Sequence, residues 1–267
     1  MSRALSYDDV LLKPQYSDIR SRAEVSTQIN LGNGLTLRVP ILASPMDTIS
    51  EAPMAIAVGL YGGAAIIHRY NSIQEQADII TMAKERAQQE YNKDIIIGAA
   101  IGVTDDYLNR AAVLNALDID FICVDVAHGH HLLMKDTLQT LRHKLGSDIH
   151  IMAGNVATIE GINDLADWGA DSVRCNIGGG SICSTRIETG HGVPGFQTIL
   201  DCSETDRDVT IIADGGIRNS GDMVKALAAG ADSIMCGSML SGTDETPGTV
   251  FEESDGTRWK TYRGMAS

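Results

Sequence analysis

The stretch Val209-Thr-Ile-Ile-Ala-Asp-Gly-Gly-Ile-Arg-Asn-Ser-Gly-Asp-Met-Val-Lys-Ala-Leu-Ala-Ala-Gly-Ala-Asp-Ser-Ile-Met-Cys-Gly-Ser238 decides the fold. It opens with an apolar, β-branched run (Val209–Ala213) and turns on Asp214-Gly215-Gly216. A helix-like segment (Ser220–Ala229) follows, then a second apolar run (Ser233–Cys236) that ends on Gly237. Neither run alternates with polar residues, as expected of parallel strands covered on both faces.

Outward from this unit the same alternation recurs. Strand-like runs are predicted at Val39–Ala43, Gly63–Ile67, Ile95–Ala100, Phe121–Asp125, Ile149–Ala153 and Ser172–Cys175, which brings the total to eight. Helix-like stretches lie at Ile73–Glu90, with Ile73, Ala77, Ile80, Ala83 and Ala87 at helical spacing, and at Asp105–Leu117, His131–Leu145 and Ile159–Trp168. Eight such units predict an α/β fold, a (β/α)8 TIM barrel in preference to an open doubly wound sheet. The first 38 residues read as an irregular lead-in with a short hairpin turning at Asn33-Gly34, between Leu31 and Leu35. After the eighth strand a hairpin insertion is expected: Thr249–Glu253, a turn at Ser254-Asp255-Gly256, then Thr257–Tyr262. No amphipathic eighth helix follows, so seven helices would cover eight strands, and the sequence reads as cut short before the last one. Residues 1–267 are taken as a single catalytic barrel domain.

Of the 267 residues 43% are hydrophobic and 21% charged, which excludes a mostly disordered chain. No apolar run reaches the roughly 18–20 residues of a membrane span, and the N-terminus lacks the apolar core of a secretory signal. Twenty-one basic against 35 acidic residues give a net charge of −14, which argues against nucleic acid as a partner. An anionic ligand would have to be drawn largely by backbone amides. The five cysteines, Cys123, Cys175, Cys183, Cys202 and Cys236, are odd in number and hold no CxxC pair. Neither a disulfide framework nor a zinc knuckle is indicated, and the expected compartment is the reducing cytoplasm.

In such barrels chemistry gathers where the strands end. The residues there are Ser44-Pro45-Met46-Asp47, His68-Arg69-Tyr70, Asp125 with His128-Gly129, Gly154-Asn155, Gly178 to Arg186, Asp214-Gly215-Gly216 and Gly237-Ser238. Glycines in three neighbouring loops allow close backbone approach, and successive N–H groups can form a concavity for an anion. Asp214 then suits a ribose diol, since a carboxylate accepts two hydroxyl hydrogen bonds. A phosphorylated nucleoside or sugar is the implied ligand class. Cys183, in a polar loop at this face, is the candidate nucleophile; the other four cysteines read as buried small hydrophobes. His128, His130 and His131 lack acidic or cysteine ligands at matching helical spacing and read as a solvated loop-to-helix junction. A barrel aldolase or isomerase would want a strand-end lysine, and none is found.

These residues resemble the IMP dehydrogenase/GMP reductase family of barrel enzymes over nearly the whole chain. The matching strings include Tyr7-Asp8-Asp9-Val10-Leu11-Leu12, Ser44-Pro45-Met46-Asp47-Thr48, Ala153-Gly154-Asn155-Val156-Ala157-Thr158, Gly180-Ser181-Ile182-Cys183, Ala213-Asp214-Gly215-Gly216-Ile217-Arg218 and Tyr262-Arg263-Gly264-Met265. The string around Cys183 is the most specific. The resemblance implies that Cys183 attacks C2 of a purine and that Thr185 helps to activate water or the leaving group. Ser181, Gly216, Gly237 and Ser238 would hold a 5′-phosphate, with Tyr262 completing that site. Asp214 would bind the ribose, Ser44, Met46, Gly264 and Met265 would position the nucleotide, and Asp125, Asn155 and Arg174 would face a nicotinamide cofactor, NAD or NADP. A monovalent cation such as potassium would take backbone carbonyls of Gly178, Gly180 and Cys183. A homotetramer is implied too.

The dehydrogenase converts IMP to XMP with NAD; the reductase converts GMP to IMP and ammonia with NADPH. Ala213–Arg218, Thr243–Gly248 and Arg263–Met265 look more like the dehydrogenase. The reductase is favoured by Ser21–Val25 and by the short stretch from Tyr70 to Asp94, which has no room for a regulatory CBS pair. Dehydrogenase is the first reading, reductase the alternative, and a non-catalytic nucleotide-binding relative the reading from another class. Three departures stand out. Gly179 replaces a usual proline, so the loop loses a rigid φ. Asn176 replaces a common glycine. The family also continues into a flap, with its arginine or glutamate near the reacting centre, and a final helix, both beyond Ser267.

Overall fold

The computed structural model describes residues 3–265. Eight parallel strands close a barrel: β1 (Ile41–Ala43), β2 (Ala64–Ile67), β3 (Ile97–Ile101), β4 (Phe121–Asp125), β5 (His150–Val156), β6 (Ser172–Cys175), β7 (Thr210–Asp214) and β8 (Ser233–Cys236), with β8 pairing back onto β1. β1 starts two residues later than expected, after Pro40, which has no N–H to give to a ladder. The strand expected from Ile95 starts at Ile97, and β5 runs on to Val156 through a register shift at Gly154/Val156.

Between the strands lie α1 (Ala52–Tyr61), α2 (Ile73–Tyr91), α3 (Tyr107–Ala116), α4 (Leu132–Leu145), α5 (Ile159–Asp167), the short α6 (Thr185–Thr189), α7 (Gly195–Cys202) and α8 (Ser220–Ala228). Sequence reasoning missed α1, α6 and α7. α1 reads Ala-Pro-Met-Ala-Ile-Ala-Val-Gly-Leu-Tyr, apolar on nearly every side, so no helical period stands out against a polar face. Among the described residues no helix follows β8, and only a two-stranded hairpin is added, Phe251–Glu252 against Arg258–Trp259, with the rings of Phe251 and Trp259 stacked at 4.4 Å.

Alternate strand residues point inward. Leu42, Ile66, Phe121, Met152, Ile212 and Met235 fill the interior, while Ala43, Ile67, Ile122, Val173 and Ile234 meet the helices. Gly98 is dictated by this packing, because a Cβ there would stand 2.2 Å from the Phe121 ring. The lead-in is more than a tether. Its hairpin, Ile29–Asn30 against Thr36–Leu37, drives the fully buried Leu31 and Leu37 into the end of the barrel where strands begin. Thr210 Oγ1 donates to the Leu31 carbonyl at 2.7 Å, and a His150 ring nitrogen meets the Gly32 carbonyl at 3.1 Å. One end is thus plugged and the other left open.

Three aspartates tie neighbouring strands near that plugged end. Asp120, Asp171 and Asp232, which precede β4, β6 and β8, accept from the backbone N–H of Ile97, Ile151 and Ile211 at 2.8, 2.7 and 2.8 Å. Burial raises the pKa of Asp120 and Asp232, against the pull of those N–H bonds.

Candidate active site

The open end holds a cavity of about 400 Å³. Every site residue expected from the sequence lines it: Cys183 and Thr185; Ser44, Met46, Ser181, Gly216, Gly237, Ser238, Tyr262, Gly264 and Met265; Asp125, Asn155, Arg174 and Asp214; and Gly178 and Gly180. The carbonyl of Gly180 already accepts from the Cys183 N–H at 3.2 Å within the loop.

Cys183 is the one partly exposed thiol of the five; the others are buried. Its Sγ donates to Thr185 Oγ1 at 3.2 Å, at the start of α6. Burial pushes the thiols of Cys123 and Cys236 up to about 12. Those groups stay protonated near neutrality and offer no competing nucleophile.

Arg174 lies under the cavity floor and sets its charge. Its Nε and Nη2 donate to Asp214 Oδ2 at 3.1 and 2.8 Å, and its Nη1 pairs with Asp125. Burial opposes this cation, yet Asp214 and Asp125 outweigh it and hold the guanidinium pKa well above its usual value. Asn155 Nδ2 donates to the same Asp214 oxygen at 2.7 Å. Three donors on Oδ2 leave Oδ1 of Asp214 as the oxygen that can accept from a ligand hydroxyl pair.

The glycine loops expected to hold an anion approach one another closely. Gly216 has φ +74°, and a Cβ on it would lie 2.9 Å from the Gly179 carbonyl. A Cβ on Gly237 would lie 3.0 Å from the Tyr262 hydroxyl and 3.3 Å from Met46 Sδ. Burial raises the Tyr262 phenol pKa, partly offset by its hydrogen bond with Ser181, so it remains a neutral donor. The segment carrying Tyr262, Gly264 and Met265 is fastened across the mouth: Arg263 pairs with Asp47, the Asp47 N–H meets Met265 Sδ at 3.3 Å, and Tyr70 donates to the Met265 carbonyl.

A model of the IMP dehydrogenase/GMP reductase domain matches residues 4–267. The chain belongs to the IMP dehydrogenase/GMP reductase family. It is 33% identical to the inosine-5′-monophosphate dehydrogenase of Nitrosopumilus maritimus over 98% of this chain and 80% of that one. It is 31% identical to the GMP reductase of Leishmania major over 100% of this chain and 80% of that one. The crystal structure of inosine 5′-monophosphate dehydrogenase from Legionella pneumophila is similar at a TM-score of 0.89 and 46% identity, covering 99% of this chain and 78% of that chain. The family fold and this barrel therefore agree, and the family is one of oxidoreductases.

The triplet His68-Arg69-Tyr70 divides. His68 turns into the wall, its Nε2 at 3.3 Å from Glu51, whereas Arg69 and Tyr70 line the cavity. Arg69 Nε is buried without a hydrogen-bond partner, and its Nη2 donates to the Asp125 carbonyl at 3.3 Å. Sequence reasoning gave Arg69 no role, although a cation at a strand end in so acidic a chain was a usable signal. The histidine cluster is a junction: His131 accepts from the Leu133 N–H at 3.1 Å and caps α4, and His130 pairs with Asp164 at 2.8 Å. Among the described residues no helix is long and apolar enough to cross a membrane.

Proposed function

We propose that this chain is an IMP dehydrogenase that oxidises the purine at C2 through a covalent bond to Cys183. The observation that carries the reading is the partly exposed Cys183 thiol, 3.2 Å from the Thr185 hydroxyl and in the same cavity as Asp214 and the glycine loops. The N–H groups around Ser181, Gly216, Gly237 and Ser238, with the Tyr262 hydroxyl, take the 5′-phosphate, and Oδ1 of Asp214 takes the ribose diol. Ser44, Met46, Gly264 and Met265 close on the nucleotide.

Cys183 Sγ bonds to C2, hydride leaves C2, and water then adds at C2 as the thiolate departs. The hydride leaves on its acceptor, and the other products are XMP, a proton and the restored thiol. Thr185 orients the thiol before attack and the water after it. Beside Asp214 the residues fit a nicotinamide dinucleotide: Arg69 has a buried N–H without a partner, Asn155 keeps its amide oxygen as an acceptor, and Asp125 brings a carboxylate. When bound, that group supplies the acceptor for the departing hydride. The family resemblance supports NAD as this acceptor, a homotetramer as the assembly, a single catalytic barrel domain, and potassium on the carbonyls of Gly178, Gly180 and Cys183.

GMP reductase is the second reading, favoured by the similarity to the Leishmania major enzyme. A paired assay separates the two. IMP with NAD should raise the nicotinamide absorbance band, GMP with NADPH should leave it unchanged, and Cys183→Ala should be silent in both. Turnover by Cys183→Ala would refute the thiol chemistry. Nucleotide binding without absorbance change in either pair would make the chain a binding relative.

A further inference from the structure

Asn176 follows β6 and is 4% exposed. Its N–H donates to the Val156 carbonyl at 2.8 Å, and its carbonyl accepts from Asn155 Nδ2 at 3.0 Å. Its side-chain Nδ2 donates to the Gly215 carbonyl at 3.3 Å, while Oδ1 is buried without a partner. The carboxamide lies directly against Gly179. A Cβ on Gly179 would fall 2.1 Å from Nδ2 and 2.6 Å from Oδ1 of Asn176. Gly179 is not among the positive-φ glycines, so its backbone would accept an L side chain. The three nearest atoms it would meet all belong to that carboxamide. The Gly179 carbonyl in turn abuts Gly216, which no side chain can occupy for the same reason of space.

We infer that Asn176 is a positioning residue for Cys183: its carboxamide is a wedge beneath the thiol loop that ties this loop to Gly215, and positions 176 and 179 act as one unit. A side chain at 179 must rotate the carboxamide, break its bond to Gly215 and shift the loop that carries Cys183. Asn176 and Gly179 are therefore a single structural solution. A loop without a rigid proline φ takes its position from a filled volume beneath it. The inference deepens the proposed function and rests on Cys183 as the nucleophile.

The test is a double-mutant cycle in the full chain with Asn176→Ala, Gly179→Ala and the pair, and Asn176→Gly as a second background. Each protein is alkylated with iodoacetamide from pH 6 to 9, with and without IMP, using Cys183→Ala as the blank and recording thermal melting alongside. Gly179→Ala alone should change the alkylation rate by about tenfold and move its pH midpoint. In either Asn176 background the change should fall below about twofold, a coupling within the range for neighbouring residues. Equal effects in all backgrounds overturn the wedge. If Gly179→Ala alone fails to fold, a folded double variant supports the wedge, and failure of both double variants to fold overturns it. Coupling without IMP protection sinks only the purine reading, while additivity with IMP protection sinks only the wedge.

Discussion

Replacing Arg174 with methionine keeps much of the stem's volume and removes the cation paired with both cavity-floor carboxylates. The side chains of Asp214 and Asp125 are 12% and 19% exposed, so water replaces little of what is lost. Removing one partner of a buried ion pair costs about 3–5 kcal/mol. Asp214 keeps the Asn155 amide at 2.7 Å, which softens the loss and places the expectation near the lower end, ~3 kcal/mol. For a chain of this size about 1 kcal/mol moves Tm by ~2–4 °C, so a fall of about 6–12 °C is expected. Urea unfolding followed by circular dichroism at pH 7.5 measures it directly. In an Asp214→Asn background the loss should shrink to about half, because only the Asp125 charge is then stranded. Nucleotide affinity should fall as well, since Asp214 loses the two donors that aim it. A loss below about 1 kcal/mol, or the same loss in both backgrounds, would refute the claim that Arg174 organises this floor.

Further outcomes follow from the same geometry. Native protein should take up one equivalent of iodoacetamide at pH 7.5, all of it on Cys183; peptide mapping that finds label on Cys123 or Cys236 contradicts the burial described. Gly98→Ala should destabilise by about 1–3 kcal/mol through overlap with the Phe121 ring, with Phe121→Leu restoring most of it in urea titrations. Burial raises the folded-state pKa of Asp120 and Asp232 above the unfolded value, so the folded chain holds more protons. Their contribution to stability therefore declines as pH rises from about 4 through the folded pKa, and is level beyond it. Asp120→Asn with Asp232→Asn keeps the acceptor oxygens and should flatten that slope; an unchanged slope in melting curves from pH 4 to 7 counts against burial as its cause.

The barrel was legible because most strands are buried on both faces and so read as largely apolar runs. What escaped detection lacked a period. α1 is apolar all round, and α7 has eight residues, too few turns to display a stripe. The site was legible for the opposite reason, since polar residues and glycines collect at or just after the strand ends, with Arg174 inside β6 and Asn155 inside β5 as exceptions. Contacts between loops were not. That Asn176 fills the volume beside Gly179 depends on the path of the chain between them, and no spacing rule encodes it. The aspartates before β4, β6 and β8 did leave a trace, as Gly-Ala-Asp precedes both β6 and β8 (Gly169-Ala170-Asp171 and Gly230-Ala231-Asp232), but only the pairing of strands gives that repeat a meaning.

The stopper formed by Leu31 and Leu37 also bears on biosynthesis. It leaves the ribosome before any barrel strand, yet its bond through Thr210 needs β7, made nearly 180 residues later. The interior methionines, leucines and isoleucines can be sealed at this end only after that strand arrives. Long sequence separation of this kind slows closure. A circular permutant that places residues 29–37 after β8 would deliver the stopper to a finished barrel and should refold faster, at little cost to its final stability.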